Sequence, residues 1–186
     1  VLKAIMYQVP QKRERLILVA IRNDIYEQGF RFKWPDPYRR VMTLRDAFFS
    51  GELFDQDVPE SQGQLYPAKK AQVMSLVPEG GDWRDLPIDK QKEYMGGSFY
   101  LGGGKTGRAR RLSMDEPSLT LTCAPAQKQT ERCHPTETRP LTVREYARIQ
   151  TFPDYWEFEG NINDQYKQIG NAVPVNLAFA IGRSLI

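Results

Sequence analysis

With 186 residues, 40% of them hydrophobic, the chain can bury the core of one domain, or of a domain plus a smaller module, and its composition excludes intrinsic disorder. No apolar run approaches the length of a membrane span, and the opening VLKAIMYQVP lacks the apolar stretch and cleavage pattern of a signal peptide, so a soluble intracellular protein is expected. The net charge of +3 hides an asymmetry: residues 102–148 carry nine Lys and Arg against five Asp and Glu, which makes +4 there and −1 elsewhere. A basic excess interleaved with Gly, Thr, Ser and Gln is the footprint of a surface that tracks a phosphate backbone, or else a solvated charged loop. Cys123 and Cys133 form no CxxC pair, which argues for reduced thiols and against a disulfide framework.

In chain order, the first element expected is a strand. Residues 16–21 form a continuous apolar run, the pattern of a strand covered on both faces. Arg13 and Arg15 lie two apart, so a strand extended back to them would point both to one side of a sheet. There they either pair with structural carboxylates or serve as guanidinium donors in an active site. From about residue 35 to 138 the chain is rich in Pro, Gly and aromatics and has no sustained helical period, which reads as an irregular small domain. Its clearest strand is PSLTLTC, where Leu119 and Leu121 alternate with Ser118, Thr120 and Thr122. GGGKTG is not a phosphate-binding loop, because the glycine needed five positions before the Gly-Lys pair is Phe99.

The last piece, 139–186, carries two helix signals. Thr142 and Glu145 make a T-x-x-E capping box that starts a helix at Thr142, and Pro153 bounds it soon after Gln150. Val143, Ala147 and Gln150 line one side of it; Arg144 and Arg148 line another, as a solvated face or a DNA contact. A terminal helix is expected with Pro174 in its first turn, and with Ala178, Ile181 and Leu185, beside Leu177, as its apolar face. Gly170 and Asn171 would then lie just upstream of a helix N-terminus, either as an ordinary turn or as a site for a polar ligand. His134 is the only histidine, and with Cys133 and Cys123 it falls short of a four-ligand zinc set, so no metal is expected.

QVPQKRERLILVAIR, TRPLTVREYARIQTFPD and QYKQIGNAVPVNLAFAI together resemble the last three conserved blocks, in order, of the DNA cytosine-5 methyltransferases. GGGKTGRARRLSMDEPSLTLTC resembles that family's target-recognition region. The resemblance implies an α/β fold: the C-terminal part of a Rossmann-like methyltransferase domain plus a small, loop-rich, mainly β recognition domain. Residues 1–34 would end the catalytic sheet, 35–138 form the recognition domain, and 139–186 return to the catalytic domain. The implied cofactor is S-adenosylmethionine, and the implied substrate is double-stranded DNA whose target cytosine is flipped out.

Residue by residue, Gln11, Arg13 and Arg15 match a Gln-x-Arg-x-Arg motif. Its last arginine approaches the cytosine and its first orders neighbouring catalytic groups. Asn171 and Ala172 match positions lining the methyl-donor pocket. Thr120 and Leu121 match a Thr-Leu pair whose hydroxyl contacts the DNA backbone. Arg139, Arg144 and Glu145 match a block that organises the base of the recognition domain. Arg108, Arg110, Arg111 and Gln127 are the candidate base readers, since arginine suits guanine and glutamine suits adenine. Tyr7-Gln8 departs from the family's Tyr-Gly. The family's nucleophile is a cysteine after proline, whereas Cys123 follows Thr122 and Cys133 follows Arg132. Its Gly-rich cofactor loop and Glu-Asn-Val block are also missing from these residues. The expectation is therefore the C-terminal part or small subunit of a prokaryotic, cytoplasmic enzyme of restriction-modification type, inactive without its N-terminal part. A catalytically inactive DNA-binding module is the alternative, and an interaction subunit with an exposed sheet edge is a third reading.

Overall fold

The computed structural model describes residues 1–185. β1 (Leu2–Lys3) runs into a 3-10 turn at Ala4–Tyr7, followed by β2 (Gln11–Lys12) and β3 (Glu14–Arg15). β1 pairs antiparallel with β3, Leu2 opposite Arg15. β2 pairs in parallel with β4 (Ser118–Leu119), Gln11 opposite Ser118. The Gln-x-Arg-x-Arg segment is thus not one strand, because the chain changes sheets at Arg13. Arg13 is buried and Arg15 half-buried, so the two do not share an environment as expected.

Residues 16–21 do not form the buried strand that their apolar run predicts. They pair with no other described strand, and Leu18 is 87% exposed. An apolar run specifies burial only where neighbours exist to cover it, and none of the described residues does so here. α1 (Asn23–Glu27), which follows, buries no residue.

The middle of the chain is loop-rich as expected but not mainly β. It holds three short helices, α2 (Leu44–Phe48), α3 (Ala68–Met74) and α4 (Ile88–Met95), and among the described residues its only strand is β4. The remaining sheet-like pairing consists of single bridges such as Arg111 with Cys133. The helices escaped the periodicity argument because none exceeds eight residues and packing, not pattern, holds them. In PSLTLTC, Ser118 and Leu121 are buried while Leu119 and Thr120 are half-buried, so the expected Leu/Thr alternation is not the pattern of burial.

The last third is helical: α5 (Val143–Ile149), α6 (Ile162–Asn171) and α7 (Val175–Arg183). α5 starts where the capping box places it: Thr142 Oγ1 accepts from Glu145 N (3.3 Å) and Glu145 Oε2 accepts from Thr142 N (2.7 Å). α6 is unanticipated. The Asn161 side chain caps its start, and Gly170 and Asn171, placed from sequence just upstream of a helix N-terminus, form its last turn. Pro174 is the N-cap of α7, one position before the place expected. The buried face of α7 is Leu177 and Ala180, with Ile181 beside them; Ala178 and Leu185 are exposed.

The largest core joins α2, Leu112, Met114, Leu121, Leu141, α5 and α6. Leu44, Leu141 and Ile149 are fully buried in it; each contributes about 1.5–3 kcal/mol. A second cluster packs α7 against Ala4, Tyr7 and Val9. A third gathers Met74, Val77, Leu86, Ala109 and Cys133. No helix among the described residues is long and apolar enough to cross a membrane.

Candidate functional site

The N-terminal strands, β4 and the end of α6 converge on one buried guanidinium. Arg13 Nη1 donates to Leu121 O (3.0 Å), and Nη2 donates to Gly170 O (2.8 Å) and Ala172 O (3.1 Å). Helix ends leave carbonyls without donors, and a cation at that end is favoured by the helix dipole. Arg13 meets both conditions at the C-terminus of α6. Gln11 supports it from the same segment: its Oε1 accepts from Leu121 N (2.9 Å) and from Arg13 Nη1 (3.4 Å). Arg13 and Gln11, both buried, therefore lock the Thr-Leu pair and the turn after α6 into one unit.

Gly170 explains why this turn carries a glycine. A Cβ there would lie 2.1 Å from Thr122 O and 2.6 Å from Thr122 C. The absent side chain lets the backbone after β4 rest directly on α6. Asn171 is exposed, and its Oδ1 accepts from Cys123 Sγ (3.5 Å); Ala172 is half-buried as the C-cap.

Arg15 is half-buried and donates to Glu14 O (2.8 Å). It borders an open cleft of about 510 Å³ lined by Lys3, Ile5, Lys12, Arg13, Glu14, Arg15 and Thr120. Lys3 pairs with Glu14 (3.9 Å) and Lys12 with Glu116 (3.4 Å), so Arg13 and Arg15 give this cleft its uncompensated positive charge, which suits an anion. Thr120 Oγ1 donates to Lys12 O (2.6 Å), so its proton serves the β2–β4 junction and would have to leave that bond to reach a phosphate. Leu121 is 2% exposed and sits in the main core, with both backbone polar groups paired to Gln11 and Arg13, so its side chain offers DNA no surface.

Part of the basic excess of residues 102–148 is internal: Arg111, Arg132 and Arg148 are buried and so do not contribute to a phosphate-tracking surface, while Lys128 is exposed and the other five cations are half-buried. Arg111 is buried and donates to the carbonyls of Met74, Val77, His134 and Glu137 at 2.8–3.0 Å, with Thr138 Oγ1 at 3.1 Å. It staples the third core cluster together and is not presented to a base. Arg148 is fully enclosed, paired with Asp154 (2.5 Å), bonded to Ala47 O and Asp57 O, and stacked over Phe54; it is neither a solvated face nor a DNA contact. Arg148 in turn holds the Asp154 carboxyl below its usual range. Arg132 is also buried, and burial lowers its guanidinium to about 10. Arg139 forks onto Glu145 (2.7 and 2.8 Å), the capping-box acid of α5. Arg144 donates to Pro153 O and Trp156 O.

Of the candidate base readers, Arg108 is half-buried with Nη1 against Met95 Sδ, Arg110 pairs with Asp82 (3.4 Å), and Gln127 is exposed. The backbone at Gly107 rests on that of Gln129 and Thr130, where a Cβ on Gly107 would clash. His134 stacks on Phe48 (5.6 Å between centroids), and burial pushes its imidazole down. Among the described residues no group of three or more His, Cys, Asp or Glu could hold a metal ion.

Sequence reasoning missed two residues of this site. Gln150 was placed only on a helix face, yet its amide joins Gln11 to the turn after α6. Thr151 adopts φ 59°, a left-handed backbone uncommon for a β-branched residue, and no local signal marked it.

Comparison with known proteins bears on the same segments. The family described as C-5 cytosine-specific DNA methylase matches residues 1–186. The type II methyltransferase M.Eco47II of Escherichia coli is 72% identical over 186 residues, covering 100% of this chain and 44% of its own length. M.PspPI of a Psychrobacter species is 69% identical with the same coverage. M.Sau96I of Staphylococcus aureus is 55% identical over 97% of this chain and 40% of its own length. The chain thus spans less than half the length of these curated relatives.

Proposed function

Because the chain belongs to the C-5 cytosine-specific DNA methylase family, we propose that it supplies the part of a DNA cytosine-5 methyltransferase that faces duplex DNA and completes the active site. The observation that carries this reading is the Arg13 network. Two segments that resemble family blocks, around Gln11 and Gly170, and one that resembles the recognition region, around Leu121, meet on one buried guanidinium.

In this reading S-adenosylmethionine supplies an electrophilic methyl group. Asn171, an exposed amide beside the glycine-tight end of α6, and the half-buried Ala172 are residues that suit one wall of its pocket. Arg15, in the positive cleft, donates to the cytosine carbonyl oxygen as charge builds there, and a preorganised donor of this kind lowers the barrier most where water is excluded. The cytosine reaches this cleft only if it leaves the base stack, and contacts to the DNA offset the unpairing cost. Arg13 and Gln11 orient the surrounding backbone. Residues 35–138 form the recognition portion, with Gln127, Arg108 and Arg110 the candidates nearest its surface. The nucleophilic cysteine comes from outside these residues: Cys133 is buried with its thiol pushed up, and Cys123 does not follow proline. The chain by itself is therefore expected to transfer no methyl.

The test is to splice this chain in place of the matching segment of the E. coli relative and score transfer of labelled methyl from S-adenosylmethionine to DNA cytosine. Transfer by the spliced enzyme, reduced about 10²–10³-fold in kcat by Arg15→Ala, supports the reading. DNA binding without any transfer would replace it with that of a recognition module that has lost its chemistry.

A further inference from the structure

We infer that Gln150 is a positioning residue whose buried amide transmits the placement of Gln11 to the turn carrying Asn171 and Ala172. The inference rests on the reading of that turn as a wall of the methyl-donor pocket. Gln150 is fully enclosed at the end of α5. Its Oε1 accepts from Gln11 Nε2 (2.9 Å), and its Nε2 donates to Ile169 O (2.8 Å) and Ala172 O (3.4 Å). Arg13 holds the carbonyls of Gly170 and Ala172 from the other side. The last carbonyls of α6 are therefore shared between two side chains that are themselves joined through Gln11.

The orientation of this amide is determined. Flipped by a half-turn, it would set its oxygen against Ile169 O and its nitrogen against the donating end of Gln11. A fully buried amide is costly unless both ends are paired, and an apolar side chain of equal volume would fill the space without that requirement. The polar choice thus specifies geometry and not just burial.

The same dipeptide also fixes where α7 begins. Val175 N donates to Gln150 O (3.0 Å), and Asn176 N donates to Thr151 Oγ1 (3.0 Å). Thr151 keeps its φ of 59° because its N–H bonds to Arg148 O and its hydroxyl bridges Gln150 O to Asn176 N. Strained backbone persists only where its surroundings over-determine it. Residues 172–174 therefore hang between two helix ends, both tied to Gln150–Thr151.

The experiment uses the spliced enzyme described above, with Gln150→Glu, which keeps the shape but opposes a carboxylate to two carbonyls, and Gln150→Met, which keeps the volume but removes both polar ends. Equilibrium binding of S-adenosylmethionine, its KM, kcat and DNA affinity are measured separately. Both variants are expected to weaken donor binding and raise donor KM roughly tenfold, with DNA affinity within about twofold of the parent. Unchanged donor binding in both, or a fall in DNA affinity and kcat at unchanged donor KM, would overturn the inference while leaving the proposed function standing. Loss of a cooperative unfolding transition in both variants would also overturn it, by assigning Gln150 to stability alone. If the parent spliced enzyme bound no donor, the reading of the pocket would fail first and the inference with it.

Discussion

Replacing Gly170 by alanine sets helix propensity directly against tertiary packing. Gly170 lies inside α6, where alanine is favoured over glycine by about 1 kcal/mol if nothing but the helix matters. The new Cβ, however, would sit 2.1 Å from Thr122 O and 3.1 Å from Cys123 Cα, both backbone atoms. Restoring an ordinary contact of 3.4 Å means moving α6 and residues 122–123 apart by about 1.3 Å. That separation stretches the bonds from Arg13 to Gly170 O and Leu121 O and the paired bonds between Tyr146 OH and the Thr122 backbone. Two or three hydrogen bonds at about 1 kcal/mol each, with the overpacking cost, exceed the propensity gain. The expected net is destabilisation of about 1–3 kcal/mol, or a fall in Tm of about 2–4 °C per kcal/mol for a chain of this size. Urea unfolding of the chain, parent against Gly170→Ala, measures it. A midpoint equal to or above the parent's would refute the claim that this glycine exists for the Thr122 contact.

Other outcomes follow from the same structure. Gln8 has φ 53°, a conformation that glycine adopts without strain, so Gln8→Gly should raise stability by about 0.5 kcal/mol in thermal unfolding despite losing an exposed bond to Glu52. Arg111→Met leaves the buried carbonyls of Val77 and His134 without a donor and takes one of two donors from those of Met74 and Glu137, so it should cost about 2–3 kcal/mol in urea unfolding, whereas Lys128→Gln, at an exposed site, should leave the midpoint unchanged. In the spliced enzyme, Lys128→Gln should lower the slope of log affinity against log salt by about 1 if Lys128 meets a phosphate. Burial holds the His134 imidazole below its ordinary value of 6.5, so the unfolded chain takes up that proton first and stability falls as pH drops below about 6.5. His134→Gln should flatten ΔG of unfolding between about pH 7 and 5.5. The Asp154 carboxyl, held low by Arg148, contributes stability that is complete above its ordinary value of 3.8 and lost only below it, so that acidic limb should survive the His134 substitution.

Local chemistry was legible in the residues themselves. The T-x-x-E spacing names the start of α5 because a capping box needs only four consecutive positions. The three long blocks carry the family, and with it the roles expected of Gln11, Arg13, Arg15, Asn171 and Ala172. Spacing along the chain could not reveal which charges face water. Arg111, Arg132 and Arg148 count toward a basic segment in sequence, yet all three are enclosed. Their acceptors are carbonyls and carboxylates brought from other parts of the chain, such as Val77, Thr120, Ala47 and Asp57.

The same holds for Gln150 and the glycine at the centre of the site. Nothing in RIQTFPD marks Gln150, because its partners lie 139 positions upstream and 19 downstream. Nothing in QIGNA distinguishes a turn from the end of α6 until Thr122 is seen resting on Gly170. The sequence alone determined the capping box of α5, the apolar content and the motif residues, since these depend on neighbours within a few positions. Only the tertiary structure decided which arginines are internal and what fixes Asn171 and Ala172, because the burial of a charge or an amide depends on partners that the fold brings together from far along the chain.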